Sequence, residues 1–224
     1  MKITTTGKWL LVAAIAMLCF APCALAQDPQ LELTGVPGGY YDGYGVGPYS
    51  IQVGGPSGST YGMICDDFYD DIGIGSQWSA TANSFSNLSA TLFKADPNLV
   101  PDYTEALTLA YAILFNTQGV SNNALMQFAI WAIFDPSAVQ AKVSGSDWTT
   151  IQGWITWAAS HPLSAGQLAN FIIWTPTNCP TGPGSCVGQE FFQYVPEGGA
   201  ALLYLLLAGV SCFGAMFFRS RRIA

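Results

Sequence analysis

The sequence predicts an α+β fold: a strand-rich N-terminal half with a helical insertion, plus an N-terminal signal helix and a C-terminal transmembrane helix. Three observations predict it. Half of the 224 residues are apolar and only 9% are charged, which excludes a disordered chain. Residues 35–75 hold 12 of the 24 glycines together with Pro37, Pro48 and Pro56, so short β-prone runs alternate there with turns. From Asp102 onward the apolar residues recur at helical spacing instead.

Residues 1–26 read as a signal peptide. Lys2 and Lys8 form the charged head, 9–20 the apolar run, and Ala24-Leu25-Ala26 a small-x-small cleavage site before Gln27. A lipoprotein signal at Cys23 competes, but Pro22 stands where a small residue is wanted. The compartment is therefore outside the cytoplasm and oxidising.

The exported part is 27–195. It carries 13 acids against Lys94 and Lys142, a balance that excludes nucleic acid as a partner, because no basic surface can displace phosphate counterions. Strands are expected at 49–53 and 59–65. Helices are expected at 103–115 and 122–134 around a turn at Gly119, and at 147–160 with Asp147 as N-cap and His161-Pro162 as its end. Two more strands, 170–175 and 190–194, flank a Pro/Gly loop at 176–188.

The remaining residues, 196–224, contain an uncharged stretch at 200–218. As a helix it would be about 28 Å long at ~1.5 Å per residue, enough to cross a bilayer. Arg219, Arg221 and Arg222 would hold its end on the cytoplasmic side. By itself this is a tail anchor. The order Val195-Pro196-Glu197, apolar helix, Arg-rich stub resembles the PEP-CTERM sorting signal of exported bacterial proteins, with Gly198 where the family has a second proline. The resemblance implies processing by exosortase, a transpeptidase-like membrane enzyme, and delivery to the surface or exterior of cells that make exopolysaccharide.

Three cysteines fall in the exported part. Cys179 and Cys186 bracket Pro180, Gly182, Pro183 and Gly184, a turn able to bring their α-carbons within disulfide range. Cys65 is left over, to be buried and inert, paired between molecules, or used. In the eleven residues 124–134, Gln127 is the only polar side chain. A helix apolar all round is buried, and a buried amide without partners costs about 1–3 kcal/mol. Bonding to a neighbouring backbone loop would satisfy it.

Tyr61-Gly62-Met63-Ile64-Cys65, followed by Gln127-Phe128-Ala129-Ile130-Trp131, resembles the paired segments of thioester domains in Gram-positive surface adhesins. The resemblance implies that Cys65 and Gln127 condense into an internal thioester that an amine on a surface or matrix partner opens. Tyr61, Asp66, Asp67, Phe128, Ala129 and Trp131 would form the supporting shell, with Trp131 shielding the bond. Met126 stands where the family has Thr.

Competing chemistry is thinner. Asp66, Asp67, Asp70 and Asp71 offer oxygens to calcium, yet EF-hand spacing is absent and a solvated acidic turn is the expectation. Cys65 with His161, the chain's one histidine, would suit a cysteine-dependent surface enzyme. His161 at a helix end is expected to cap it instead. No catalytic residue, metal or cofactor is therefore expected. The alternative to covalent adhesion is a structural or polysaccharide-binding component of an exopolysaccharide matrix, using tryptophans such as 131, 148, 154 and 157, whose helical spacing favours core packing first.

Overall fold

The computed structural model describes residues 28–180 and 182–196. The signal peptide, Glu197, the apolar stretch at 200–218 and Arg219, Arg221 and Arg222 lie outside the described residues. Among the described residues, no helix is long and apolar enough to cross a membrane.

The described residues form eight strands: β1 (Gln30–Gly35), β2 (Tyr40–Tyr41), β3 (Tyr44–Gly45), β4 (Tyr49–Val53), β5 (Ser59–Cys65), β6 (Gln77–Ser84), β7 (Phe171–Pro176) and β8 (Phe191–Tyr194). Six of them close into an antiparallel barrel in the order β1-β4-β5-β8-β7-β6, and β2 and β3 make a separate hairpin. The expected sheet is thus a barrel, closed where Leu31 of β1 faces Trp78 of β6. Closure leaves none of the six with a free edge.

The helical insertion interrupts the chain between β6 and β7. After a 3₁₀ turn at Phe85–Ala90 come α1 (Leu99–Leu114), α2 (Asn123–Phe134), α3 (Pro136–Gln140), α4 (Gly145–Ser160) and α5 (Ala165–Ala169). Pro101 falls in the first turn of α1, where its missing N–H would have had no helical partner; the helix therefore starts at Leu99, ahead of the expected 103. The N-cap of α4 is Ser144, whose hydroxyl accepts from Asp147 N at 3.1 Å. Asp147 is the third helical residue, a correction to its expected capping role. His161 ends α4 as expected, its ring stacked on Trp157 at 5.0 Å.

Two cores result. One fills the barrel with Leu31, Leu33, Ile51, Met63, Trp78 and Phe191. The other lies between barrel and helices and contains Ile64, Tyr103, Leu107, Phe128, Phe171 and Phe192. Strand β5 supplies both: Met63 and Cys65 face the barrel core while Ile64 faces the helices, as period-two alternation requires. In α2 every residue from Met126 to Ala132 is buried, and the helix packs on α1 and α4 and touches β5. That placement brings Gln127 to the end of β5.

Candidate functional site

Cys65 is the last residue of β5, paired with Phe191 of β8, and is fully buried. Its thiol donates to the Asp67 carbonyl at 3.2 Å. Burial pushes the thiol well above its ordinary range, and the Asp67 and Asp66 carboxylates add to the shift.

Gln127 is also fully buried. Its Nε2 donates to the Cys65 carbonyl at 2.6 Å and its Oε1 accepts from Gly47 N at 3.2 Å. The amide is satisfied by backbone, and that backbone belongs to Cys65 itself and to the turn before β4. Gly47 is there for space: a Cβ would meet Gln127 Oε1 at 2.7 Å and Ile64 Cδ1 at 2.7 Å. Gly47→Ala is expected to push the carboxamide off this position and to cost about 1–3 kcal/mol by overpacking, read as a lower midpoint in urea unfolding.

The other sequence-expected residues divide. Phe128, Ala129 and Trp131 are buried around Gln127. Phe68 meets Trp131 at 5.2 Å with the rings tilted, and Tyr44 meets Phe128 at 5.7 Å and Phe68 at 5.4 Å. Above this aromatic floor opens a cavity of about 290 Å³, lined by Tyr40, Tyr44, Phe68, Trp131, Asp67, Asp70 and Asp71. Tyr61 is exposed, pairs across to Ile51 and lies outside that lining. His161 bonds to Trp157 O and Ser160 on the exposed end of α4, and those partners replace the Cys65 pairing an enzyme would need. Trp148, Trp154 and Trp157 pack half-buried against the core.

The acidic turn is not solvated. Asp66, Asp67 and Asp70 are buried and Asp71 is exposed. Asp67 Oδ1 accepts from Tyr69 N at 3.0 Å and Asp70 N at 3.3 Å. The Asp70 carboxylate accepts from Gly184 N at 3.0 Å and Cys186 N at 3.1 Å. Asp67, Asp70 and Cys186 cluster tightly enough to suggest a metal, but the Cys186 sulfur is bonded to Cys179 and backbone amides already occupy Asp70. Burial, with Asp70 second, pushes Asp67 up to about 8.

Asp66 N donates to the Glu190 carbonyl at 3.4 Å, and both residues are fully buried, Glu190 just before β8. Glu190 accepts from Tyr103 OH of α1, Thr175 OH of β7 and Leu92 N, the last at 2.8 Å. With three donors on Glu190, the proton of the pair sits on Asp66, whose pKa is driven far up by burial and then by Glu190.

Sequence reasoning missed Gly47, Tyr44, Phe68 and Glu190 as members of this site. Glu190 left one signal: it is the only acid between Asp147 and Glu197 and abuts the apolar Phe191-Phe192. Gly47 left only its place before Pro48.

No protein-family model and no curated protein matches the chain. Three solved bacterial domains resemble its structure. The N-terminal thioester domain of fibronectin-binding protein SfbI from Streptococcus pyogenes is 14% identical, with TM-score 0.43, over 79% of this chain and 98% of that one. The N-terminal thioester domain of a surface protein from Clostridium perfringens is 11% identical, with TM-score 0.42, over 73% and 97%. The N-terminal domain of the Streptococcus pyogenes pilus tip adhesin Cpa is 13% identical, with TM-score 0.45, over 77% and 97%.

Proposed function

We propose that 27–195 is a non-enzymatic surface adhesion domain in which Cys65 and Gln127 condense to an internal thioester. The observation that carries this reading is the Gln127 carboxamide bonded to the Cys65 backbone at 2.6 Å in a fully buried site. The Cys65 sulfur attacks the Gln127 acyl carbon, a C–S bond replaces the C–N bond, and the thiol proton leaves with the amide nitrogen as ammonia. Gly47 N–H, on the carbonyl oxygen, stabilises the oxyanion of the tetrahedral intermediate. The thiolate is a good leaving group, so an amine on a surface or matrix partner then takes the acyl carbon and returns the thiol. Phe128, Ile130 and Trp131 keep water away in the meantime.

The rest of the proposal concerns delivery. Residues 1–26 direct export, and 196–224 act as the PEP-CTERM-type sorting signal, with the 200–218 helix in the membrane until exosortase processing releases or attaches the domain.

Intact mass tests the chemistry. The wild-type protein is expected to be lighter by one ammonia than its sequence requires, and methylamine should add its full mass. Cys65→Ala and Gln127→Ala should show neither change. A methylamine adduct that survives Gln127→Ala sinks the thioester reading. An unmodified wild-type mass favours non-covalent polysaccharide binding instead, for which the aromatic cavity beside Tyr40 and Tyr44 is the place to look.

A further inference from the structure

The Cys65 sulfur is held from a side that the thioester itself does not use. The Asp67 carbonyl that accepts its hydrogen also accepts from Gln189 Nε2 at 3.0 Å, and the same nitrogen donates to the Asp70 carbonyl. Asp67 Oδ1, taking the Tyr69 and Asp70 amides, folds these residues into one tight turn. The Asp70 carboxylate then grips the Gly184 and Cys186 amides. Those amides belong to the loop closed by the Cys179–Cys186 disulfide. Gly182 and Gly184, at φ +93° and +78°, give that loop a backbone that L side chains rarely adopt.

An unbroken series therefore runs from the disulfide through the loop amides, Asp70 and the Asp67 carbonyl to Cys65 Sγ. Its two halves are more than a hundred positions apart in the chain, so chain entropy opposes their meeting, and the disulfide lowers only the cost of ordering the loop that presents the Gly184 and Cys186 amides. We propose that the Cys179–Cys186 loop positions the Cys65 sulfur, acting through Asp70 and Gln189, and so decides whether that sulfur reaches the Gln127 acyl carbon. This rests on the thioester reading. Asp70, Gln189, Cys179 and Cys186 are positioning residues; none touches the reacting atoms. The order of events follows. Two thiols first pass two protons and two electrons to an exchanging disulfide, which is reduced to two thiols, and thioester closure comes after.

The test compares the full-length protein with Cys179→Ser/Cys186→Ser and, separately, Gln189→Met. Serine variants are needed because a thiol reductant would itself open the thioester by exchange. Two quantities are read: the fraction of chains lacking one ammonia, and, with Gln127→Ala added to every protein compared (wild type included) so that the sulfur stays a thiol, the rate at which iodoacetamide alkylates the Cys65 peptide in the folded protein. Both variants are expected to alkylate about tenfold faster, because local opening frees the thiol, and to lose most of the ammonia-deficient form. Leu168→Ala, in the buried face of α5, is the control that lowers stability without touching the series, and its Cys65 should alkylate at the wild-type rate. Rates within about twofold of wild type in the folded variants would overturn the proposal. If the double serine variant does not fold, Gln189→Met decides alone. A wild type with its ammonia intact refutes the thioester, while the alkylation rates still report on positioning.

Discussion

Replacing Glu190 with alanine is expected to remove about 3–5 kcal/mol, the loss typical of one partner taken from a buried charged network. Domains of this size are commonly stable by only about 5–15 kcal/mol. The carboxylate is fully buried and holds Tyr103 of α1, Leu92 before α1 and Thr175 of β7. It is thus the polar joint between the barrel and the helical insertion. Its removal strands three donors away from water. Glu190→Gln keeps the shape and one acceptor oxygen, so its cost should be nearer the about 1–3 kcal/mol of a single unsatisfied group. Urea unfolding of the three proteins checks the order, wild type above Glu190→Gln above Glu190→Ala. An alanine variant as stable as wild type would mean that the network contributes nothing net.

Much of the local structure was legible because local physics decides it. The run at 122–134 is apolar on all sides, and α2 is the buried helix that such a run must become. The disulfide follows from a short Pro/Gly step between two cysteines. Strand β6 was not visible: Gln77–Ser84 reads QWSATANS, whose small polar residues lack β-propensity. It is a strand because β1 and β7 bond it on both sides. The same limit explains the acids. Asp70 looks solvated because its donors, the Gly184 and Cys186 amides, lie more than a hundred positions further along the chain, and no local pattern announces partners that far away. Cys65 and Gln127 were legible as a pair only through resemblance. Gly47, which completes their geometry, sits in a turn rich in glycines of other uses.

Stability is expected to fall as pH rises from about 4 to about 8, and the buried acids are the reason. Asp67 is pushed up to about 8 and Asp66 is driven far up, each first by burial. In the unfolded chain these carboxyls release their protons near pH 4. Between pH 4 and 8 the folded state therefore holds protons that the unfolded state has lost. By linkage, stability then drops by about 1.4 kcal/mol per pH unit for each such proton. Asp102, raised to about 7, adds little because it is part-exposed and screened. Urea unfolding at pH 5 and pH 8 checks the sign, and greater stability at pH 8 would refute it. Asp67→Asn should flatten the slope, since its amide mimics the protonated acid and can donate to Asp70. The consequence reaches the sulfur. Ionised Asp67 and Asp66 hold the Cys65 thiol up, so under the proposed thioester chemistry keeping their protons would ease the attack on Gln127. A buried site that had to make a thiolate would gain from neighbours that stay neutral, and the burial that costs the acids their charge would also keep water from the proposed bond.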